Sequence, residues 1–217
     1  MKKIRYILSN HAKFHHLEVA KALLKRDQLT KVICGYPWFK LKNEKIPKKF
    51  IDCFGLYNII NHFLRNSKYS SIIYLENRIG YMGAHSIQKR TLKYIDQADV
   101  LIALSGAGLL AGRKMIDKNK IYVCERSSTH ILYQKDLLWD EYKSLNLNLE
   151  LLKLKEKGFR DWMIEREIKE YELANYILVP SSFVESSFKK YNFTKTIVVE
   201  FGVNLENFHP IKEIKKD

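Results

Sequence analysis

Residues 99–131 read DVLIALSGAGLLAGRKMIDKNKIYVCERSSTHI. Residues 99–104 form a short apolar run suited to a strand buried on both faces. Ser105-Gly106-Ala107-Gly108 is a tight glycine loop, and the chain from there to about Asp117 has helical spacing. Residues 121–124 form a second apolar run, which closes on the polar cluster Glu125-Arg126-Ser127-Ser128-Thr129-His130. Strand, helix and strand in that order make a βαβ unit, and such units predict a parallel sheet with covering helices.

The same alternation extends in both directions. Upstream, residues 3–9 read as a strand and residues 15–27 as a helix with Leu17, Ala20, Leu23 and Leu24 on one face. Residues 31–35 read as the next strand. Residues 36–66 begin basic and aromatic, then take helical spacing at Leu56, Ile59, Ile60, Phe63 and Leu64, and residues 86–97 read as a helix. Downstream, helices are expected over 131–145 and 159–174, a strand over 176–179, a helix over 181–191 and a last strand over 196–200. The prediction is one doubly wound, Rossmann-like α/β domain over residues 1–208, with a parallel sheet and helices on both faces, and the start of a linker at 209–217. Ligands of such sheets bind beyond the carboxyl ends of the strands.

Composition narrows the class. The chain has 217 residues, 46% of them hydrophobic, with 9 Gly and 4 Pro, which excludes collagen-like and disordered chains. No apolar run reaches the roughly 18 residues of a membrane span, and the start MKKIRY has no leader-like apolar stretch. Cys34, Cys53 and Cys124 are scattered, which suggests a reducing cytoplasm and no zinc site. The net charge is +14, and residues 1–50 hold 13 basic and 3 acidic side chains, so +10 lies there. Such an excess attracts phosphate, nucleic acid or an acidic membrane surface, or serves only solubility.

Four stretches bear candidate chemistry. The loop at Ser105 and Gly106 opens a helix, where free amides attract anions. With Glu125 about 20 residues on, an NAD-binding oxidoreductase competes as a reading, although the loop follows a middle strand and its spacing is G-x-G-x-x-x-G. The alternative is a tight turn that packs a helix onto the sheet. The cluster 125–130 offers an arginine for phosphate or carboxylate, hydroxyls for sugar oxygens, and Glu125 or His130 to accept a hydroxyl proton. Ser128 or Thr129 as a helix N-cap is the competing structural reading. His11, His15 and His16 read as solvated histidines at a helix start, with contact to an anion or sugar second and a metal site disfavoured for want of a third ligand. Residues 36–50 interleave Trp38, Phe39 and Leu41 with Lys40, Lys42, Lys45, Lys48 and Lys49, which fits a lipid headgroup layer better than nucleic acid, since no nucleic-acid-binding module is present, with an ordinary surface loop that buries its aromatics as the competing structural reading. The run Glu165-Arg166-Glu167…Glu170…Glu172 reads as a solvated helix face.

Residues 170–184 (EYELANYILVPSSFV) and 199–210 (VEFGVNLENFHP) together resemble glycosyltransferase family 4, with Asn204 in place of that family's Asp. Phe14-His15-His16-Leu17, Gly35-Tyr36-Pro37, Ser105-Gly106-Ala107-Gly108-Leu109 and residues 124–131 are similar to one branch of it. The resemblance implies the N-terminal, acceptor-side half of a GT-B fold. It implies transfer of a sugar with retention from a nucleotide-sugar to a saccharide or lipid-linked acceptor hydroxyl, with no cofactor and no essential metal. Glu125 and His130 would stand at the reacting hydroxyl, and Ser105, Gly106, Arg126 and Ser127 would line the acceptor side. The first βα loop, Ser9-Asn10-His11-Ala12-Lys13, lacks the family's Gly-Gly pair, so His11 or Lys13 would meet donor charge by side chain. The donor-side signature of two Glu separated by seven residues is absent from the sequence. The chain alone is therefore expected to fold without transferring sugar, its partner being a donor-binding domain. A cytoplasmic site at the inner membrane face is expected from the basic, aromatic N-terminal third.

Overall fold

The computed structural model describes residues 3–64, 70–147, 160–203 and 205, with residues 70–74 described by backbone only. Half of the 199–210 motif and all of the 209–217 linker lie outside the described residues. Seven parallel strands form one sheet: β1 (Tyr6–Asn10), β2 (Leu29–Cys34), β3 (Ile51–Cys53), β4 (Val100–Leu104), β5 (Ile121–Glu125), β6 (Tyr176–Val179) and β7 (Thr196–Val198). Their spatial order is β3-β2-β1-β4-β5-β6-β7. The chain winds one way from β1 to β3 and the other way from β4 to β7, so the order reverses between β1 and β4. That reversal opens a crevice at the carboxyl ends of the two strands.

The helices are α1 (His16–Lys25), α2 (Leu56–Leu64), α3 (Ser70–Leu92), α4 (Leu109–Asp117), α5 (Ile131–Ser144), α6 (Asp161–Leu173) and α7 (Ser182–Lys189). Alternation along the central strands builds two cores. Ile7 and Ile33 point into one with Ile87 of α3, Met115 of α4, Tyr171 of α6 and Phe188 of α7. Leu8, Val32 and Cys34 point into the other, against Leu17, Ala20 and Leu23 of α1. Both faces are apolar because both are covered, and this is why the strands read as unbroken hydrophobic runs. Left-handed residues end two helices sharply: Asp27 after α1 (φ 53°) and Asn119 after α4 (φ 54°), positions where short polar side chains carry little steric cost.

Four sequence expectations shift. β3 is a three-residue edge strand, too short to register as a hydrophobic period, and it exists through pairing of Ile51–Cys53 with Val32–Cys34. α3 starts well before residue 86 and stops at Leu92, followed by a short 3-10 turn at Ile95–Gln97. The acidic run on α6 is not a solvated face: Arg166, Glu167 and Glu170 are buried, while Glu165 and Glu172 remain exposed. The basic stretch 36–50 is also more packed than a lipid-inserting loop. Leu41 and Ile46 are buried and Trp38 and Phe50 lean on the second core, leaving Phe39 as the exposed ring. The three cysteines are free thiols. Among the described residues no helix is long and apolar enough to cross a membrane.

Candidate functional site

The glycine loop after β4 is already occupied, and the group that fills it is a carboxyl of the protein itself. Glu170 of α6 accepts hydrogen bonds from the amides of Gly106 (2.5 Å), Gly108 (2.8 Å) and Leu109 (2.7 Å). These are the N–H groups a helix start would offer a phosphate. Gly106 sits at φ +88°, a conformation that disfavours any side chain. A Cβ at Gly112 would press into the Tyr122 ring. The glycines thus admit Glu170 and Tyr122, which agrees with the packing turn and takes from a dinucleotide the amides it would need. Burial, helped by the nearby charge of Glu167, pushes Glu170 up to about 8 against the pull of the amides.

Beyond β5, Glu125 is the centre of a cluster. His16 at the start of α1 contacts it through Nε2 at 2.5 Å, and His15 contacts the other carboxylate oxygen through its own Nε2. Burial works to raise the Glu125 pKa, but the two imidazoles outweigh it and hold the carboxyl down at about 2. His16 is fully buried, contrary to the solvated histidines expected, whereas the His15 side chain keeps 26% exposure. A carboxylate accepting from both Nε2–H groups fixes each ring's tautomer and leaves Nδ1 as the basic nitrogen. On the exposed ring, His15, Nδ1 makes no hydrogen bond among the described residues. The His15 ring also meets Phe201 beyond β7, at 4.6 Å between centroids. His15, His16 and Glu125 bring one ligand atom each within 4.8 Å of one another, so they are the residues that could hold a divalent metal.

The remaining predicted residues divide. His11 lines a cavity of about 310 Å³ bounded also by Gly106, Tyr57, Ile87, Arg160 and Trp162. Burial first, then the Arg166 charge, lowers His11 to about 4, so its ring is neutral at pH 7. Ser105 is buried; its amide donates to the Glu125 carbonyl at 2.8 Å and its hydroxyl lies 3.4 Å from that of Tyr171. Arg126 turns inward: it pairs with Glu167 at 2.6 Å and donates to the Thr129 carbonyl and to Gln134. Ser127 is half-buried, with a hydroxyl that has no hydrogen-bond partner among the described residues. Lys13 is paired with Glu44. His130 is 1% exposed and enclosed by Tyr171, Phe188, Tyr191 and Phe193. Its Nδ1 accepts from the Leu132 amide at 3.3 Å, so His130 itself is the N-cap of α5, in place of Ser128 or Thr129. Burial and the Arg126 charge lower its pKa to about 4. Glu125 and His11 therefore stand at the crevice, while Arg126 and His130 are committed to packing around it.

Sequence reading missed the Glu125 pairing to His15 and the contribution of α2, α3 and α6 to the cavity. The only linear signal was that His11, His15 and His16 and Glu125 each follow a strand.

No family model and no curated protein matches the chain. Solved structures do. TcCGT1 in complex with UDP superposes with a TM-score of 0.57 at 10% identity, over 100% of this chain and 54% of that one. CalG4, the calicheamicin glycosyltransferase, gives 0.55 at 14% identity, over 92% and 53%. A UDP-glucosyltransferase from Polygonum tinctorium gives 0.52 at 12% identity, over 99% and 56%. The chain spans about half the length of these proteins. At such identities the likeness is one of fold and does not extend to a particular family. The seven-stranded, all-parallel, Rossmann-like domain shares the GT-B glycosyltransferase fold.

Proposed function

We propose that this chain is the acceptor-side lobe of a glycosyltransferase that moves a sugar from a nucleotide-sugar to a hydroxyl of a saccharide or lipid-linked acceptor. The observation that carries the reading is the His15–Glu125 pair at the strand ends; the cavity bounded by His11 and Gly106 opens at the same edge of the sheet, and neither His15 nor Glu125 lines it. Fold relatives described as UDP complexes and UDP-glucosyltransferases support a uridine nucleotide-sugar as donor. In the proposed mechanism Glu125 holds His15 with Nδ1 free, and Nδ1 takes the proton as the acceptor oxygen attacks the anomeric carbon. The charge leaving with the nucleoside diphosphate is met from a second α/β lobe across the crevice, against the exposed rim of Phe14, Phe201 and Val203.

Direct displacement assisted by a base inverts the anomeric centre. The test is an NMR assignment of the product formed by the two-lobed enzyme, with a β-linked product expected from an α-linked donor. Retention, which the resemblance to family 4 implies, would assign the proton to the departing phosphate instead, and His15→Gln would then keep its rate. Transfer is expected to survive EDTA; its loss on chelation and return with a divalent ion would reassign His15, His16 and Glu125 as metal ligands.

Lys40, Lys42, Lys45, Lys48 and Lys49, with exposed Phe39 and the outward face of α2 (Leu56, Ile59 and Phe63), support attachment to the anionic cytoplasmic membrane face. Vesicles with anionic lipid should bind the protein at low salt and release it at high salt. Neutralising the five lysines should weaken that binding. Equal binding to neutral vesicles at high salt would remove the electrostatic argument.

A further inference from the structure

The cavity at the β1–β4 crevice has features beyond those a neutral hydroxyl acceptor would need. It holds about 310 Å³, the share of roughly ten waters, and its walls are mainly hydrocarbon: Phe54 and Tyr57 below, Ile87 and Gly80 from α3, Trp162 and Met163 from α6. Arg160, the N-cap of α6, also lines it, and its Nη2 is buried without a hydrogen-bond partner among the described residues. Against Trp162 lies a second guanidinium, Arg166, stacked on the Trp162 and Tyr81 rings at 4.9 Å, with a buried Nη1 that has no hydrogen-bond partner among the described residues. One carboxylate, Glu76, shares the wall. Burial lowers the pKa of both arginines, against the Glu76 charge near Arg160 and the Glu170 charge and Tyr81 hydroxyl near Arg166. A buried guanidinium N–H left unmade is costly, and a planar oxyanion is the group that satisfies it best.

We infer that this cavity takes an amphiphilic acid, with its ring or chain among Tyr57, Ile87 and Trp162 and its carboxylate or phosphate oxygens on Arg160. This names the acceptor class of the proposed reaction and rests on that reading for its biological role, but binding itself requires no donor and no turnover.

Three probes measured by titration calorimetry on this chain separate the possibilities: 2-naphthoate, octyl phosphate and the neutral 2-naphthalenemethanol. Both acids should bind at least tenfold more tightly than the alcohol. Arg160→Gln should remove that preference, weakening the acids at least tenfold and leaving the alcohol unchanged. Gly80→Leu places a side chain where the nearest atom to a Cβ is Asn61 Nδ2 at 3.8 Å, so the variant should fold, fill the space and abolish binding of all three probes. Equal affinity for acid and alcohol, an unchanged acid affinity in Arg160→Gln, or binding that persists in Gly80→Leu would each overturn the inference. His15→Gln should leave naphthoate binding intact. Acid binding as expected, with no transfer by the two-lobed enzyme, would therefore overturn the proposed function and not this inference.

Discussion

Replacing His15 with Gln in the two-lobed enzyme is expected to lower kcat by about 10²- to 10⁴-fold, the usual range for removal of a positioned general base, with little change in KM. The expectation follows from the division of labour at Glu125. One carboxylate oxygen is used by a fully buried ring, His16, and the other by a ring that still meets solvent, His15. His15 is the ring of the pair that is open to solvent, and so the one the proposed mechanism uses. Glu125→Gln should bring a comparable loss of kcat, because a carboxamide cannot accept from both Nε2–H groups, so the His15 tautomer is no longer fixed. His16→Ala should act differently, lowering stability through a buried void before it lowers turnover. Steady-state kinetics beside thermal unfolding of the three variants checks this. A His15→Gln enzyme with wild-type kcat would end the base assignment.

The second large effect is on stability. Glu170→Ala should destabilise the domain by about 3–5 kcal/mol, the order expected when several buried donors lose their acceptor at roughly 1–3 kcal/mol each, because it strands the amides of Gly106, Gly108 and Leu109 inside the protein. For a chain of this length that corresponds to a fall in Tm of roughly 10 °C or more. The pH dependence provides an independent check. Glu170 is raised from 4.5 to about 8 in the fold, so the folded state binds the extra proton. Its contribution is complete below pH 4.5 and is lost as pH rises through 8, at about 1.4 kcal/mol per pH unit. His11 and His130, lowered from 6.5 to about 4, have the opposite sign: their contribution is present above 6.5 and lost as pH falls towards 4. Between pH 6.5 and 8 the Glu170 slope should therefore stand clear. Urea unfolding across that window should show stability falling with pH in the wild type and a flatter profile in Glu170→Gln. The same slope in both proteins would mean that Glu170 is ionised throughout.

Local sequence carried much of the architecture. Apolar runs of four to six residues ending in polar clusters, alternating with stretches of 3.6-residue period, suffice to define β1, β2, β4, β5 and β6 and the helices between them. β3 escaped because three residues hold no period and its existence depends on the neighbouring β2. The polar residues of α6 were misjudged for a related reason. Glu167 and Glu170 look solvated when only their own helix is considered, but their partners, Arg126 and the Gly106–Leu109 amides, lie about 40 to 60 positions upstream. His130 likewise read as a reactive group because nothing nearby in the chain announces the rings that α6 and α7 close around it.

The amino-acid order alone determined the α/β class, the parallel sheet and the strand ends where chemistry collects, since periodicity and turn residues act over a few positions. Tertiary structure alone decided which of those polar groups remained available. Pairing His15 with Glu125 across 110 positions, and assigning Glu170 to the glycine loop, depends on the winding reversal between β1 and β4. Desolvation and charge then act on whichever groups that reversal brings together, and a linear chain does not contain those distances.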